Sequence, residues 1–295
     1  MRKTSRKLLA VILALVVGVL VSACAPREES GNIRLGDIGW DESQAIANLT
    51  KILLEEDMGY TVDIRRLESP PLLFQAVGQG EIDAFQDVWL PNHQAFLDEQ
   101  GDQVQLLDYW YEGETSFGIA VPTYLDVRSL DELNDSNVDT IYGIEPGTPM
   151  MDKINDRVVP TYNLNQEIVE AGTQGMLSQV DDLYKNREPF AFVAWTPHWM
   201  NRYYEYRYLD DPQDAQEELN DPAQVTAIVN SDFASRRPDV VALLNAIRLD
   251  EAELNEIEDE ARNAGDDYEE GARRWLENNR GKAQSWVDEA KAAQG

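Results

Sequence analysis

The chain has 295 residues and a formal charge of −30, from 55 Asp+Glu against 25 Lys+Arg. So acidic a surface excludes nucleic acid as a partner, because phosphate contacts need basic residues. It would also be repelled by anionic lipid head groups. A single cysteine excludes an internal disulfide, so the core must hold without covalent help. The acidity has two readings: a solvated face on a soluble protein, or adaptation to a salty medium that screens self-repulsion.

Residues 1–23 read as a targeting segment. Arg2, Lys3, Arg6 and Lys7 form a basic n-region, residues 8–21 an apolar h-region, and Ser22-Ala23 a small-residue cleavage point. Val21-Ser22-Ala23-Cys24 resembles a bacterial lipoprotein cleavage box, which implies lipidation of Cys24. The bland alternative is an ordinary secretory signal followed by an incidental cysteine. The apolar run is short for a retained membrane helix. Residues 24–32 then form a polar tether. The chain is expected outside the cytoplasm, held at the cell membrane by lipid. From Cys24 onward 272 residues remain, with 21 Lys+Arg against 55 Asp+Glu, a formal charge of −34. That length allows two lobes or one large domain.

Strand and helix signals alternate from there. Residues 33–40 (IRLGDIGW) read as a strand, followed by a helix over 42–58 that stops before Gly59. Residues 61–67 alternate as a second strand, 70–79 form a proline-opened helix, 82–89 (IDAFQDVW) a third strand and 91–100 the next helix. This βαβαβ order predicts a mostly parallel sheet with crossover helices. Strands are expected again at 117–122, 140–144, 190–195 (FAFVAW) and 225–229, with helix from 238 to the end. A faint echo, W-x-P just past a strand at Trp89 and at Trp195, suggests two similar lobes. Lobe 1 is expected to comprise 33–118 and 223–295, and lobe 2 to comprise 119–222.

Catalysis is the rival class. The only histidines are His93 and His198, each just after a W-x-P turn, and there is no G-x-S-x-G elbow or H-E-x-x-H. Cys24 is consumed by the lipid, and two histidines without cysteine make a poor transition-metal site. No catalytic residue, metal or cofactor is therefore assigned. A secreted hydrolase using a carboxylate pair stays as the alternative from another class.

A binding site is better supported. Trp40, Trp89 and Trp195 each close an apolar run, which puts three π-faces at strand ends, where ligands of open α/β sheets bind. Bare aromatic faces suit a cation that cannot donate hydrogen bonds, such as a quaternary ammonium. Gly143-Ile144-Glu145-Pro146-Gly147 follows a strand and precedes a helix, a turn whose N–H groups suit an anion. Together these describe a small zwitterion.

Gly39-Trp40-Asp41, Val88-Trp89-Leu90-Pro91-Asn92-His93, residues 142–149, Ala194-Trp195-Thr196-Pro197-His198-Trp199-Met200 and Arg207-Tyr208-Leu209-Asp210-Asp211-Pro212 resemble segments of glycine betaine-binding proteins. These are the solute receptors of osmoprotectant ABC importers. The resemblance covers residues 33–247 and implies an α/β, two-lobe, periplasmic-binding-protein-like fold with a hinge and the ligand in the inter-lobe cleft. It implies a cage of Trp40, Trp89 and Trp195 around the trimethylammonium, with Gly143 and Ile144 N–H groups on the carboxylate. It also implies a histidine contact; the family pattern is W-L-P-x-T-H, whereas His93 here comes one residue early. His198, Trp199 and Pro146 are expected just behind the ligand contacts. The partners implied are an ABC permease and its ATPase, with the receptor itself a monomer. Choline, carnitine, proline betaine or another methylated solute are the alternative ligands.

Overall fold

The computed structural model describes residues 31–293. The targeting segment, Cys24 and most of the tether lie outside the described residues. Within the described residues two five-stranded sheets are built.

The first sheet has the order β2-β1-β3-β10-β4. Its strands are β1 (Asn32–Asp37), β2 (Thr61–Arg66), β3 (Ala84–Leu90), β4 (Val104–Leu106) and β10 (Gln224–Asn230). The second has the order β7-β6-β8-β5-β9. Its strands are β5 (Ser116–Pro122), β6 (Thr140–Gly143), β7 (Glu167–Glu170), β8 (Ala191–Thr196) and β9 (Tyr206–Tyr208). The sequence predicts mostly parallel sheets; both are mixed instead. β1–β3, β6–β7 and β6–β8 are parallel, whereas β10 runs antiparallel to β3 and β4, and β5 antiparallel to β8 and β9. The reason is chain routing. After β4 the chain leaves to build the second sheet and comes back only as β10, inserting between β3 and β4 in the opposite sense.

Each sheet with its helices is a lobe, and two connections, 107–115 and 209–223, join them. They are strapped together: Ala223 N donates to Thr115 Oγ1 at 2.6 Å, and Thr115 Oγ1 donates back to Ala223 O at 2.9 Å.

Helices cover the sheets. α1 (Asp41–Ile52) starts directly after β1, with Asp41 and Glu42 in its first turn, where carboxylates are favoured by the exposed N–H groups. It runs on as a π turn, Leu53–Asp57. α2 is Pro70–Gly78 and α3 Gln94–Gln100, the latter beginning three residues later than its apolar pattern implies. In the second lobe α4 (Pro149–Lys153), α5 (Val159–Tyr162), α6 (Thr173–Asn186) and α7 (Met200–Tyr203) follow. α8 (Ser231–Arg236) follows β10, and the helix expected from 238 to the end is three: α9 (Pro238–Ala246), α10 (Glu251–Asn263) and α11 (Tyr268–Ala292). Asp250 and Glu253 form a capping box at the start of α10, which is why the chain breaks there. Trp275 and Trp286 are buried and stack with ring centroids 6.2 Å apart. Among the described residues no helix is long and apolar enough to cross a membrane.

Candidate functional site

The parallel pairing of β1 and β3 brings their carboxyl ends to one edge, and with them Trp40 and Trp89. Trp40 is the N-cap of α1, reached through Gly39, whose φ of +98° a side chain would strain. In the second lobe β6 and β8 are also parallel, so Trp195 and the turn after Gly143 share an edge. The two edges meet. Ring centroids of Trp40 and Trp195 are 6.3 Å apart, and Trp40 lies 6.1 Å from His93. Phe117 sits 6.3 Å from Trp89 and 6.2 Å from Trp195. The order His93, Trp40, Trp195, Phe117, Trp89 makes a belt of five aromatic rings.

Phe117 was legible only as the start of a strand. It joins the belt because β5 pairs antiparallel with β8 in a register that sets Phe117 opposite Trp195. No local pattern encodes that register. The sequence also suggests open indole faces, whereas all three tryptophans are buried, Trp40 at 5%, Trp89 at 2% and Trp195 at 1% exposure. The opposing lobe covers them.

Every indole N–H at this junction is held by a carboxylate. Trp40 Nε1 donates to Glu145 Oε2 at 2.9 Å, Trp89 Nε1 to Asp87 Oδ1 at 2.7 Å, and Trp195 Nε1 to Glu42 Oε1 at 3.0 Å. Trp199 Nε1 donates to Asp41 Oδ1 at 3.0 Å. Buried indoles need such a partner, and holding each ring by its edge leaves its face available. Three of the four bonds cross between lobes. None was legible, since the acids are unremarkable among 55.

His93 is buried, and its Nδ1 accepts the backbone N–H of Trp89 at 3.1 Å. Burial pushes its pKa down to about 3, so the imidazole is neutral. Its proton therefore sits on Nε2, a neutral donor fixed against Trp40. Despite its early position this histidine stands beside Trp40 in the belt. Gly143 and Ile144 are buried at the end of β6, and a Cβ on Gly143 would come within 2.5 Å of Met151 Sδ. The Glu145 side chain ties their turn to Trp40, and Thr173 N holds its other oxygen at 2.7 Å. Gly147 takes φ +81°, and Thr148 caps α4 through Met151 N. Pro146 is exposed.

His198 is engaged elsewhere. Its Nδ1 accepts from Met200 N at 3.1 Å, its Nε2 lies 3.0 Å from Asp41 Oδ2, and its ring meets Trp195 edge-on at 4.7 Å. The Arg262 guanidinium covers Trp199 at 3.6 Å. Asp41 also accepts from the Tyr268 hydroxyl. Burial works to raise the Asp41 pKa, but the neighbouring His198 and the hydrogen bonds from His198, Tyr268 and Trp199 outweigh it and hold the carboxyl below its usual range. At Glu42, Asp87 and Glu258 burial pushes the same way and is not outweighed. Glu42 and Glu258 rise well above the usual range and Asp87 rises to about 7, each with neighbouring acids adding to the effect. Among the described residues no group of His, Cys, Asp and Glu could hold a metal ion.

Residues 31–278 match the family OpuAC, described as the substrate binding domain of ABC-type glycine betaine transport system. A Listeria monocytogenes protein, described as a glycine betaine/carnitine transport binding protein, is 28% identical over 152 residues. That stretch is 50% of this chain and 49% of the relative, so the chain spans about half the relative's length. Among solved structures, lactococcal OpuAC in its closed form with glycine betaine superposes with a TM-score of 0.78 at 24% identity, over 88% of this chain and 100% of that one. An ABC-transporter choline binding protein in complex with choline gives 0.76 at 27% identity, over 91% and 99%. A glycine betaine/L-proline-binding protein from Borrelia burgdorferi gives 0.79 at 22% identity, over 87% and 96%.

Proposed function

The chain belongs to the OpuAC family of substrate-binding domains of ABC-type glycine betaine transport systems, and from that premise we propose that its cargo is glycine betaine. It is a substrate-binding protein of a glycine betaine/choline-type transporter, and the family is one of transport proteins, not enzymes; the hydrolase alternative falls with that.

In this reading Trp40, Trp89 and Trp195 surround the trimethylammonium, with Phe117 as a further wall. The N–H groups of Gly143 and Ile144 hold the carboxylate, and His93 Nε2 donates to it. The observation that carries the reading is the meeting of Trp40 and Trp195 across the lobes, 6.3 Å between ring centroids. A trimethylammonium has no N–H, so a carboxylate could attract it only by bare charge, whereas indole faces add a dry wall that selects by shape. Each desolvated contact contributes roughly 0.5–2 kcal/mol, and micromolar binding needs about 8 kcal/mol. The cage therefore needs the charge-assisted hydrogen bonds at the carboxylate end as well.

The two lobes satisfy the ligand together only when shut, so ligand shifts an open–closed equilibrium. The closed receptor, a monomer held outside the cytoplasm by lipid on Cys24, would then dock on its permease. A partner ATPase supplies the energy, since the sequence has no P-loop.

Choline is the second reading, favoured by the ring of acids behind the cage, which suits a net cation. Calorimetry against glycine betaine, choline, carnitine and proline betaine tests both. Glycine betaine is expected to bind tightest; tighter binding of choline would overturn the Gly143–Ile144 clamp.

A further inference from the structure

Two of the carboxylates behind the cage are only half satisfied. Glu42 Oε1 accepts from Trp195 and Asp87 Oδ1 from Trp89, but Glu42 Oε2 and Asp87 Oδ2 are buried with no hydrogen-bond partner. Both residues have 0% exposure. The groups facing them are mostly acids: Asp41 on the same helix, Glu258 from α10 and Asp37 from β1. Tyr111 and Tyr268 add hydroxyls, His198 is hydrogen-bonded to Asp41, and Asp259 and Arg262 act on Glu258 from its own helix.

Buried like charges with bare oxygens cannot all be ionised, so such a cluster holds protons or a cation. Burial lifts both acids, with Asp87 adding to the rise at Glu42 and Asp37 adding to that at Asp87, which reaches about 7. The proposed ligand brings the cation. It would lie against rings whose N–H edges these same carboxylates hold, and an N–H···carboxylate bond makes an indole face more negative.

We propose that Glu42 and Asp87 are the counter-charges of the cage, and that a cationic head entering it displaces a proton from this pair to solvent. The inference rests on the quaternary-ammonium reading above. A carboxyl O–H bond breaks, its proton passes to buffer, and the carboxylate left behind balances the unchanged onium. Specificity follows. A neutral head of the same shape, with carbon in place of nitrogen, draws off no proton and finds no counter-charge.

The test is calorimetric titration of the whole protein with glycine betaine, choline and 3,3-dimethylbutyrate, the carbon isostere of betaine. It is run at about pH 6 and about pH 8, in phosphate and in imidazole. These buffers differ in heat of ionisation, so the difference in measured heat counts protons. The expected result is release of close to one proton per onium at the lower pH and almost none at the higher. Affinity for the onium should be about tenfold tighter at the higher pH, the factor given by one linked group near 7. The isostere should bind weakly or not at all, without release and without that gain.

Glu42→Gln and Asp87→Asn each keep the oxygen that accepts the indole N–H. The double variant should lose both the release and the pH gain while treating the isostere as the parent does. Binding of an onium without release at the lower pH, or an unchanged pH profile in the double variant, overturns the proposal and leaves the transport reading standing. Failure to bind either onium overturns both. The proton count on the unmodified protein needs no variant, so a substitution that misfolds does not blunt the test.

Discussion

Trp195 donates its indole N–H to Glu42 Oε1 at 3.0 Å, joining the end of a strand in one lobe to the first turn of a helix in the other, 153 positions away. The residue next to Glu42, Asp41, takes His198 and Trp199 from the same W-x-P-H-W segment. The start of α1 in one lobe is therefore the grip point for the strand end of the other. In the proposed reading Trp195 is at once a wall of the cage and a strut of the closed state. Trp195→Ala should weaken betaine binding by about tenfold or more, the loss of one desolvated π-face and one cross-lobe bond. Calorimetry checks this beside circular dichroism; an unchanged affinity in a folded variant would count against the cage.

Closure itself is the second prediction. Asp41 gathers His198, Trp199 and Tyr268, and Arg262 covers the face of Trp199 from α10 at 3.6 Å. Asp41→Ala leaves His198 and Trp199, which reach it from the other lobe, without an acceptor only when the lobes are shut. It should shift the ligand-bound protein toward an open form, seen as a larger radius of gyration in solution scattering. Saturating ligand should reverse part of the change. An equally compact variant would show that the grip is decorative.

The two connections make a third. Thr115 and Ala223 exchange two hydrogen bonds across the segments that join the sheets. Thr115→Val keeps the shape and removes both. The pivot should loosen, so ligand dissociation should quicken by a few-fold in stopped-flow tryptophan fluorescence, at an expected stability cost of about 1 kcal/mol. Dissociation at the parent rate would place the hinge elsewhere.

Much of this arrangement was legible because it is local. The abrupt ends of apolar runs at Trp40, Trp89 and Trp195, and the turn after Gly143, could be read from short segments whose strand ends really do meet. The rest depends on partners distant in the chain. Phe117 enters the belt through strand register, and β10 reverses direction because it returns from the second sheet. The short strands β4, β7 and β9, of three or four residues, carry too few residues for alternation to register. The acids behind the indoles were hidden by abundance: nothing nearby distinguishes Glu42 or Asp87 from an acid on a solvated face.

Stability should fall as pH rises, and the sign follows from burial. Glu258 and Asp87 have folded-state pKa values above their usual ones, Asp87 at about 7 against 3.8. Between those limits the unfolded chain binds fewer protons than the folded one, so stability is lost as pH climbs through the window and levels off above it. Without ligand, the melting temperature should drop by several degrees from about pH 5 to about pH 8, at about 2–4 °C per kcal/mol. Glu258→Gln removes one buried acid whose two oxygens lack hydrogen-bond partners, and should flatten the curve. Identical slopes for variant and parent would assign the loss to overall surface charge.

Salt separates that surface charge from the cage. A chain with 55 acidic residues against 25 basic ones repels itself, and at about 1 M salt the screening length shrinks to about 3 Å. Melting temperature should therefore rise in molar KCl if the acidity suits a saline medium. The three tryptophans are buried, so contacts of a ligand held among them would be poorly screened, and betaine affinity should change by less than about twofold over the same range. A steep loss of affinity in salt would move the ligand to an exposed acidic patch. A melting temperature that stayed level or fell would sink the saline reading while leaving the cage untouched.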